Sequence, residues 1–259
     1  MVFIDTHTHL YLNAFDNDRE EVMQRAIDSN VKMMFLPHVD SQTTAAMLAL
    51  EEAWPKHTRA MMGVHPCSIN ADYERELAHA RKWLEQRSFA AIGEIGIDLY
   101  WDKTFFEQQK LAFRLQCEWA LEYKLPVIIH ARDSTDVIIE LLEEINNPAL
   151  KGIFHCFTGT REQAEKIVAL GFKLGIGGVV TFKNGGLNHT IEHIALENMV
   201  LETDAPYLTP TPNRGKRNES SYIPIIAEKI ALVKNIPLEE VANVTTKNAK
   251  SVFLQSFLD

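Results

Sequence analysis

Short apolar runs alternate with longer amphipathic stretches from one end of the chain to the other, and the two patterns differ in period. Apolar runs of a few residues predict buried strands at Phe3–Asp5, Met33–Leu36, Ala60–Val64, Ala90–Glu94, Val127–His130, Gly152–His155, Lys173–Ile176 and Met199–Glu202. Helical spacing covers Arg19–Ser29, Thr43–Trp54, Tyr73–Gln86, Thr104–Tyr123, Asp136–Ile145, Thr160–Leu170 and His189–Ala195 between them. Ile223–Lys234 and Leu238–Phe253 continue the helical pattern beyond the last strand. Thr160 with Gln163 three residues on forms a capping-box pattern, and Gly171 closes that helix.

Strands separated by helices predict parallel pairing. Eight units in 259 residues give about 32 residues each, close to the roughly 30 that one βαβ step takes. That is the arithmetic of an α/β fold of the (β/α)8 TIM-barrel type. An open, doubly wound sheet is the competing arrangement, since counting does not show closure. The chain has no Pro/Gly/Ser-rich linker and no composition break, so residues 1–259 are read as a single barrel domain. The longest irregular stretch, Pro206–Ser221, follows the eighth strand and contains Arg214-Gly215-Lys216-Arg217.

Composition narrows the class. Charged residues make up 24% and the net charge is −9, which excludes a broadly basic surface that coats nucleic acid. An acidic balance still suits an enzyme that meets nucleic acid at a cation-lined pocket. Cys67, Cys117 and Cys156 have no metal-binding spacing, and so sparse a set suits a reducing compartment. The N-terminus opens on strand-like Val2-Phe3-Ile4, and no apolar run approaches a transmembrane length. The expectation is a cytoplasmic, soluble protein with no membrane association and no stable protein partner.

The informative feature is where metal-capable residues fall. Barrel enzymes place reactive groups at the C-terminal ends of strands. His7 and His9 end the first strand, His65 follows the third, and Glu94, His130 and His155 end the fourth, fifth and sixth; Asp204 follows the eighth. Residues two apart on a strand share a face, so His7 and His9 are expected to point together into the lumen and ligate a divalent ion. Glu94, flanked by glycines, is expected to bridge two ions through its two oxygens. Asp204 is expected to ligate and to accept a proton from water. His130 and His155 are expected ligands, with Glu202 supporting them and Cys156 as a packing residue. His65 is read as touching substrate rather than metal. His38 is read as a loop residue, and His57, His79, His189 and His193 as surface residues on or beside helices. No Gly-x-Gly-x-x-Gly follows a strand, and neither a Walker sequence nor a Gly-x-Ser-x-Gly elbow is present. That leaves metal-assisted hydrolysis.

Ile4-Asp5-Thr6-His7-Thr8-His9-Leu10, Gly63-Val64-His65-Pro66, Gly93-Glu94-Ile95-Gly96-Ile97-Asp98, His130-Ala131-Arg132, His155-Cys156-Phe157-Thr158-Gly159 and Glu202-Thr203-Asp204-Ala205-Pro206-Tyr207-Leu208 occur in this order. Together they resemble the TatD family of metal-dependent deoxyribonucleases, in the amidohydrolase-like superfamily. The resemblance implies one ion held by His7, His9, Glu94 and Asp204 and a second held by Glu94, His130 and His155. It associates His65 with a substrate phosphate. Thr158, Cys67 and Ser220-Ser221 depart from residues common in the family, but none of them replaces a ligand.

The expected activity is therefore a metal-dependent phosphodiesterase acting on DNA, as a 3′–5′ exodeoxyribonuclease on single strands or 3′ ends. Two ions, Mg²⁺, Mn²⁺, Co²⁺ or Zn²⁺, would activate a water. Asp204, Glu94 and His65 are the expected catalytic residues. Arg132, Arg214, Lys216 and Arg217 are expected to grip neighbouring phosphates. The alternative is a metallo-amidohydrolase or lactonase acting on a small cyclic or amide substrate. Glu94 stands where many of those enzymes carry a bridging lysine carbamate.

Overall fold

The structure, a computed structural model, describes residues 1–183 and 185–253. Eight strands run through it: β1 (Phe3–Asp5), β2 (Val31–Leu36), β3 (Thr58–Ala60), β4 (Ile92–Asp98), β5 (Val127–Arg132), β6 (Gly152–Phe154), β7 (Lys173–Ile176) and β8 (Met199–Leu201). They pair in chain order, all parallel, as β1–β2–β3 and as β4 through β8. Two seams join these groups. Met62 bridges Ile92 in parallel, and the Gly93 N–H donates to the Met62 carbonyl at 3.0 Å. At the other seam the Thr6 N–H donates to the Leu201 carbonyl at 3.0 Å. The sheet is the expected (β/α)8 barrel.

Helices α1 (Arg19–Asp28), α2 (Thr44–Ala53), α3 (Tyr73–Gln86), α4 (Phe106–Tyr123), α5 (Thr135–Ile145), α6 (Arg161–Ala169) and α7 (Leu187–His193) fall between successive strands. α8 (Ile223–Lys234) and α9 (Leu238–Val252) follow β8. The capping box opening α6 is present, with Thr160 accepting from the Gln163 N–H and Gln163 accepting from Thr160. None of the described helices is long and apolar enough to cross a membrane.

Alternation along the strands sorts the core into two clusters. Residues of one parity, such as Met34, Leu36, Ile129 and Leu174, pack outward against the helices. Residues of the other parity, Ile4, Met33, Phe35, Met61, Ile128, Ile153 and Val200, form a separate cluster within the lumen. The helix α9 closes that cluster. Ala249 and Phe253 belong to it, with the Phe253 ring stacked on Phe35 at 3.6 Å. Thr246 donates to the Val2 carbonyl and Asn248 donates to the carbonyls of Leu196 and Met199, fastening α9 where β1 and β8 begin.

Strand bounds shift by one or two residues at β2, β5, β6 and β8, and two strands differ more from expectation. The strand expected at Ala60–Val64 lies earlier, at Thr58–Ala60, with Met62 alone bridging onward. β4 runs four residues past Glu94, to Asp98. Gly96 permits the pairing to continue past Glu94. It holds φ +149°, and a Cβ there would lie 1.9 Å from the His130 carbonyl oxygen.

Candidate metal centre

At the other end of the lumen, where the strands finish, imidazoles and carboxylates take the place of the apolar side chains. His7, Thr8 and His9 lie just beyond the end of β1. The same-face geometry expected of this pair holds, with the two Nε2 atoms 3.2 Å apart. Glu94, inside β4 where the pairing with β5 shifts register, extends its carboxylate into the centre. Its Oε2 lies 3.1 Å from His7 Nε2 and 3.6 Å from His9 Nε2. Its Oε1 lies 2.8 Å from both His130 Nδ1 and His155 Nε2, and 3.4 Å from His65 Nε2. Asp204 approaches from the loop after β8, with Oδ1 3.5 Å from His9 Nε2 and 3.7 Å from His7 Nε2.

Among the described residues, three donor sets could each grasp an ion: His7, His9 and Glu94; His7, His155 and Asp204; and His65, Glu94 and His130. Within each set the ligand atoms lie within 4.8 Å of one another. Mixed imidazole nitrogen and carboxylate oxygen suits borderline and hard divalent ions. Two imidazole nitrogens facing each other at 3.2 Å share at most one proton between them, a geometry that a cation relieves. The residues therefore fit a divalent metal. His65, read from sequence as touching substrate only, sits within ligand distance of this cluster.

Comparison with known proteins agrees with this geometry. Residues 4–254 match the family described as TatD related DNase. The chain belongs to the TatD family. The chain is 41% identical to the uncharacterized metal-dependent hydrolase YabD of Bacillus subtilis, over 97% of this chain and 99% of that protein. It is 32% identical to a protein of Pantoea sp. named 3′-5′ ssDNA/RNA exonuclease TatD, covering 96% and 98% of the two chains. The crystal structure of the Escherichia coli TatD homologue YjjV superposes with a TM-score of 0.91 at 31% identity, covering 97% of each chain. As a TatD family member, the chain is a metal-dependent hydrolase.

Electrostatics explain how a TatD centre keeps charge in a buried place. Burial alone would raise Glu94, but the His155, His65 and His7 charges and the His130 hydrogen bond hold it well below the usual carboxylate range. The same exchange acts on its partners. Burial would lower His155, yet Glu94 and Glu202 raise it well above an ordinary imidazole. His7, stacked on His155 at 3.8 Å, is lowered by burial and by the His155 charge. Burial would raise Asp204 too, but the His9 hydrogen bond and the histidine charges keep it low.

Several residues that aim the ligands escaped the sequence reading. Asp98 lies four residues beyond Glu94 on the same face of β4 and receives His130 Nε2 at 2.9 Å, leaving His130 Nδ1 toward Glu94. Burial would raise its carboxyl, but His130 and the Trp101 and Tyr100 amides bring it down to about 2. Tyr11 continues the parity of His7 and His9; its hydroxyl meets His9 Nδ1 at 2.9 Å and donates to the Pro37 carbonyl at 2.5 Å. Asp5 ties β1 to the β8 loop, accepting from the Thr203 N–H and hydroxyl and from Ser220. Burial raises its carboxyl to about 7 against those hydrogen bonds.

Glu202 is fully buried, accepts the Cys156 N–H, and lies 3.7 Å from His155 Nδ1. Gly175 makes this possible, since a Cβ there would sit 2.1 Å from Glu202 Oε2. Cys156 is only half-buried, on a backbone of φ +47°. His38 lies in the loop after β2, as expected, but it is fully buried there, next to Glu94. Its backbone carbonyl accepts the Glu94 N–H, and its ring contacts the Gly63 carbonyl and the Thr44 hydroxyl. Burial lowers it to about 4, so it is a neutral packing residue.

The basic residues divide. Arg132 lies at the mouth with its guanidinium 3.9 Å above the Tyr100 ring, and Arg214 stacks on Phe182 at 3.7 Å. Lys216 is exposed. Arg217, expected to grip phosphate, is used elsewhere. It donates to both Asp18 carboxylate oxygens, at 2.8 and 2.6 Å, and to the Ala14 carbonyl, which ties the loop to the start of α1.

Proposed function

We propose that this chain is a phosphodiesterase that removes nucleotides from the 3′ ends of single-stranded DNA, with Glu94 shared between two divalent cations. The observation that carries the reading is the division of Glu94, with Oε2 toward His7 and His9 and Oε1 toward His65, His130 and His155. His7, His9 and Asp204 would hold one ion with Oε2, and His130 and His155 the other with Oε1. Bound Mg²⁺, Mn²⁺, Co²⁺ or Zn²⁺ supplies positive charge that polarises a phosphoryl oxygen and acidifies water.

The chain's own groups do the rest. Asp204 is 14% exposed where Glu94 is 2%, so it is the carboxylate with access to solvent. Held ionised by its histidine neighbours, it accepts a proton from the attacking water. His65, whose charge Glu94 favours against burial, balances negative charge as it develops on the phosphate or the departing oxygen. Arg132, Arg214 and Lys216 receive flanking phosphates at the rim. The Pantoea relative named an exonuclease on single-stranded DNA and RNA supports the substrate class.

The test is digestion of oligonucleotides labelled internally and at the 3′ end, run in parallel with lactones and dipeptides, with Mn²⁺ or with EDTA. Metal-dependent release of mononucleotides from the 3′ end is expected. Cleavage of the small substrates with none of DNA would replace this reading with the amidohydrolase one.

A further inference from the structure

Among the described residues, three aromatic side chains are exposed: Tyr100 at 54%, Trp101 at 71% and Tyr207 at 53%. All three lie on loops leaving the C-terminal ends of β4 and β8, the strands that deliver Glu94 and lead to Asp204. Exposed apolar residues scattered singly mean little, but these are gathered at the mouth of the centre. The pair on the β4 loop is also held in place. Asp98 Oδ1 accepts the Tyr100 and Trp101 N–H groups at 2.9 and 3.1 Å, while its Oδ2 meets the ligand His130. The two rings meet edge to face at 4.9 Å. The Arg132 guanidinium lies 3.9 Å from the Tyr100 centroid and 5.5 Å from that of Trp101.

We propose that Tyr100, Trp101 and Arg132 form a nucleobase-stacking subsite for the strand end whose phosphodiester lies at the metal centre. The proposal rests on the nuclease reading above and adds what holds the nucleotide. An indole fixed at its backbone yet largely bare offers a flat face to any base, because every base has a π face. Arg132 extends the surface with a cation over the ring. A chain of net charge −9 has little general attraction for a phosphate backbone, so stacking supplies grip that charge does not. Through Asp98, one carboxylate fixes both this platform and the ring of His130, so the stacked base is registered against the cleavage site.

The experiment uses the Mn²⁺-loaded enzyme and paired oligonucleotides, one normal and one with an abasic residue at either of the two 3′-terminal positions. Wild-type enzyme should prefer the base-bearing strand roughly tenfold in kcat/KM, mostly through KM, as base–aromatic stacking implies. Trp101→Ala should bring that ratio close to one, and Trp101→Phe, which keeps a flat ring, should restore most of it. A ratio that Trp101→Ala leaves as in wild type overturns the subsite while the nuclease reading stands. A wild-type enzyme inactive on every oligonucleotide overturns both.

Discussion

Where the strands begin, the lumen is filled by Ile4, Met61, Ile128, Ile153 and Val200, with Phe253 stacked on Phe35. Where they finish, His7, His9, His65, His130 and His155 surround Glu94 and Asp204 in the same lumen. Burial acts in opposite directions at the two ends. At the apolar end it stabilises by about 25 cal/mol for each Å² taken from water. At the polar end it opposes every ionised group, and the cluster persists because each charge is offset by its neighbours. One end makes the barrel stable, and the other uses that stability to hold groups that would not gather by themselves.

The largest expected effects come from removing charge at the polar end. Glu94→Ala should lose bound metal and reduce turnover to background. Asp204→Asn keeps the shape and one coordinating oxygen, so it should retain more metal while losing about 10²–10⁴-fold in rate per bound metal. Metal content and nuclease turnover at saturating Mn²⁺ check both. Near-wild-type turnover by fully loaded Asp204→Asn would remove its role as proton acceptor. At the apolar end the pattern should invert. Phe253→Ala should cost about 3–5 kcal/mol of stability in denaturant unfolding, with turnover per folded molecule unchanged. A loss of turnover at full folding would show that the two ends are not separable.

Smaller effects sharpen the comparison at its border. Asp98→Asn leaves an oxygen near His130 but removes the charge, and metal affinity measured by titration should fall about 10–100-fold. Smallest is a pH effect at His38. Folded His38 titrates at about 4 and the unfolded chain at 6.5, so below 6.5 the unfolded state binds the extra proton. Stability should therefore fall as pH drops from 6.5 toward 4, by about 2 kcal/mol on reaching about pH 5. His38→Asn should lack this component, which unfolding curves of the two proteins at both pH values would reveal.

What was legible in the sequence follows from distance along the chain. The strand–helix alternation and the ligands in or just past the strands are local, and α3 and α8 fall at their expected bounds. His7 and His9 were readable because the period of a strand alone puts both rings on one face. Features decided by partners far away were not. Arg217 reads as a free cation until folding brings Asp18, 199 residues earlier, against it. The burial of His38 within its loop was hidden because it depends on Gly63 and Thr44 closing around the ring. Asp98 sits in the same short motif as Glu94, but its role requires the ring of His130 on the neighbouring strand.

The fastening of α9 across the start of β1 and β8 also sets a timetable for synthesis. Every strand is made before the helix that seals the lower lumen. At about 5–20 residues per second, roughly 3–10 s pass between completion of Leu201 and of Val252. During that interval Ile4, Phe35, Ile153 and Val200 lack the Ala249 and Phe253 contacts that complete their cluster. A nascent chain halted before Leu238 would carry the whole set of metal ligands above an unsealed apolar well, a surface for chaperones to hold until α9 arrives.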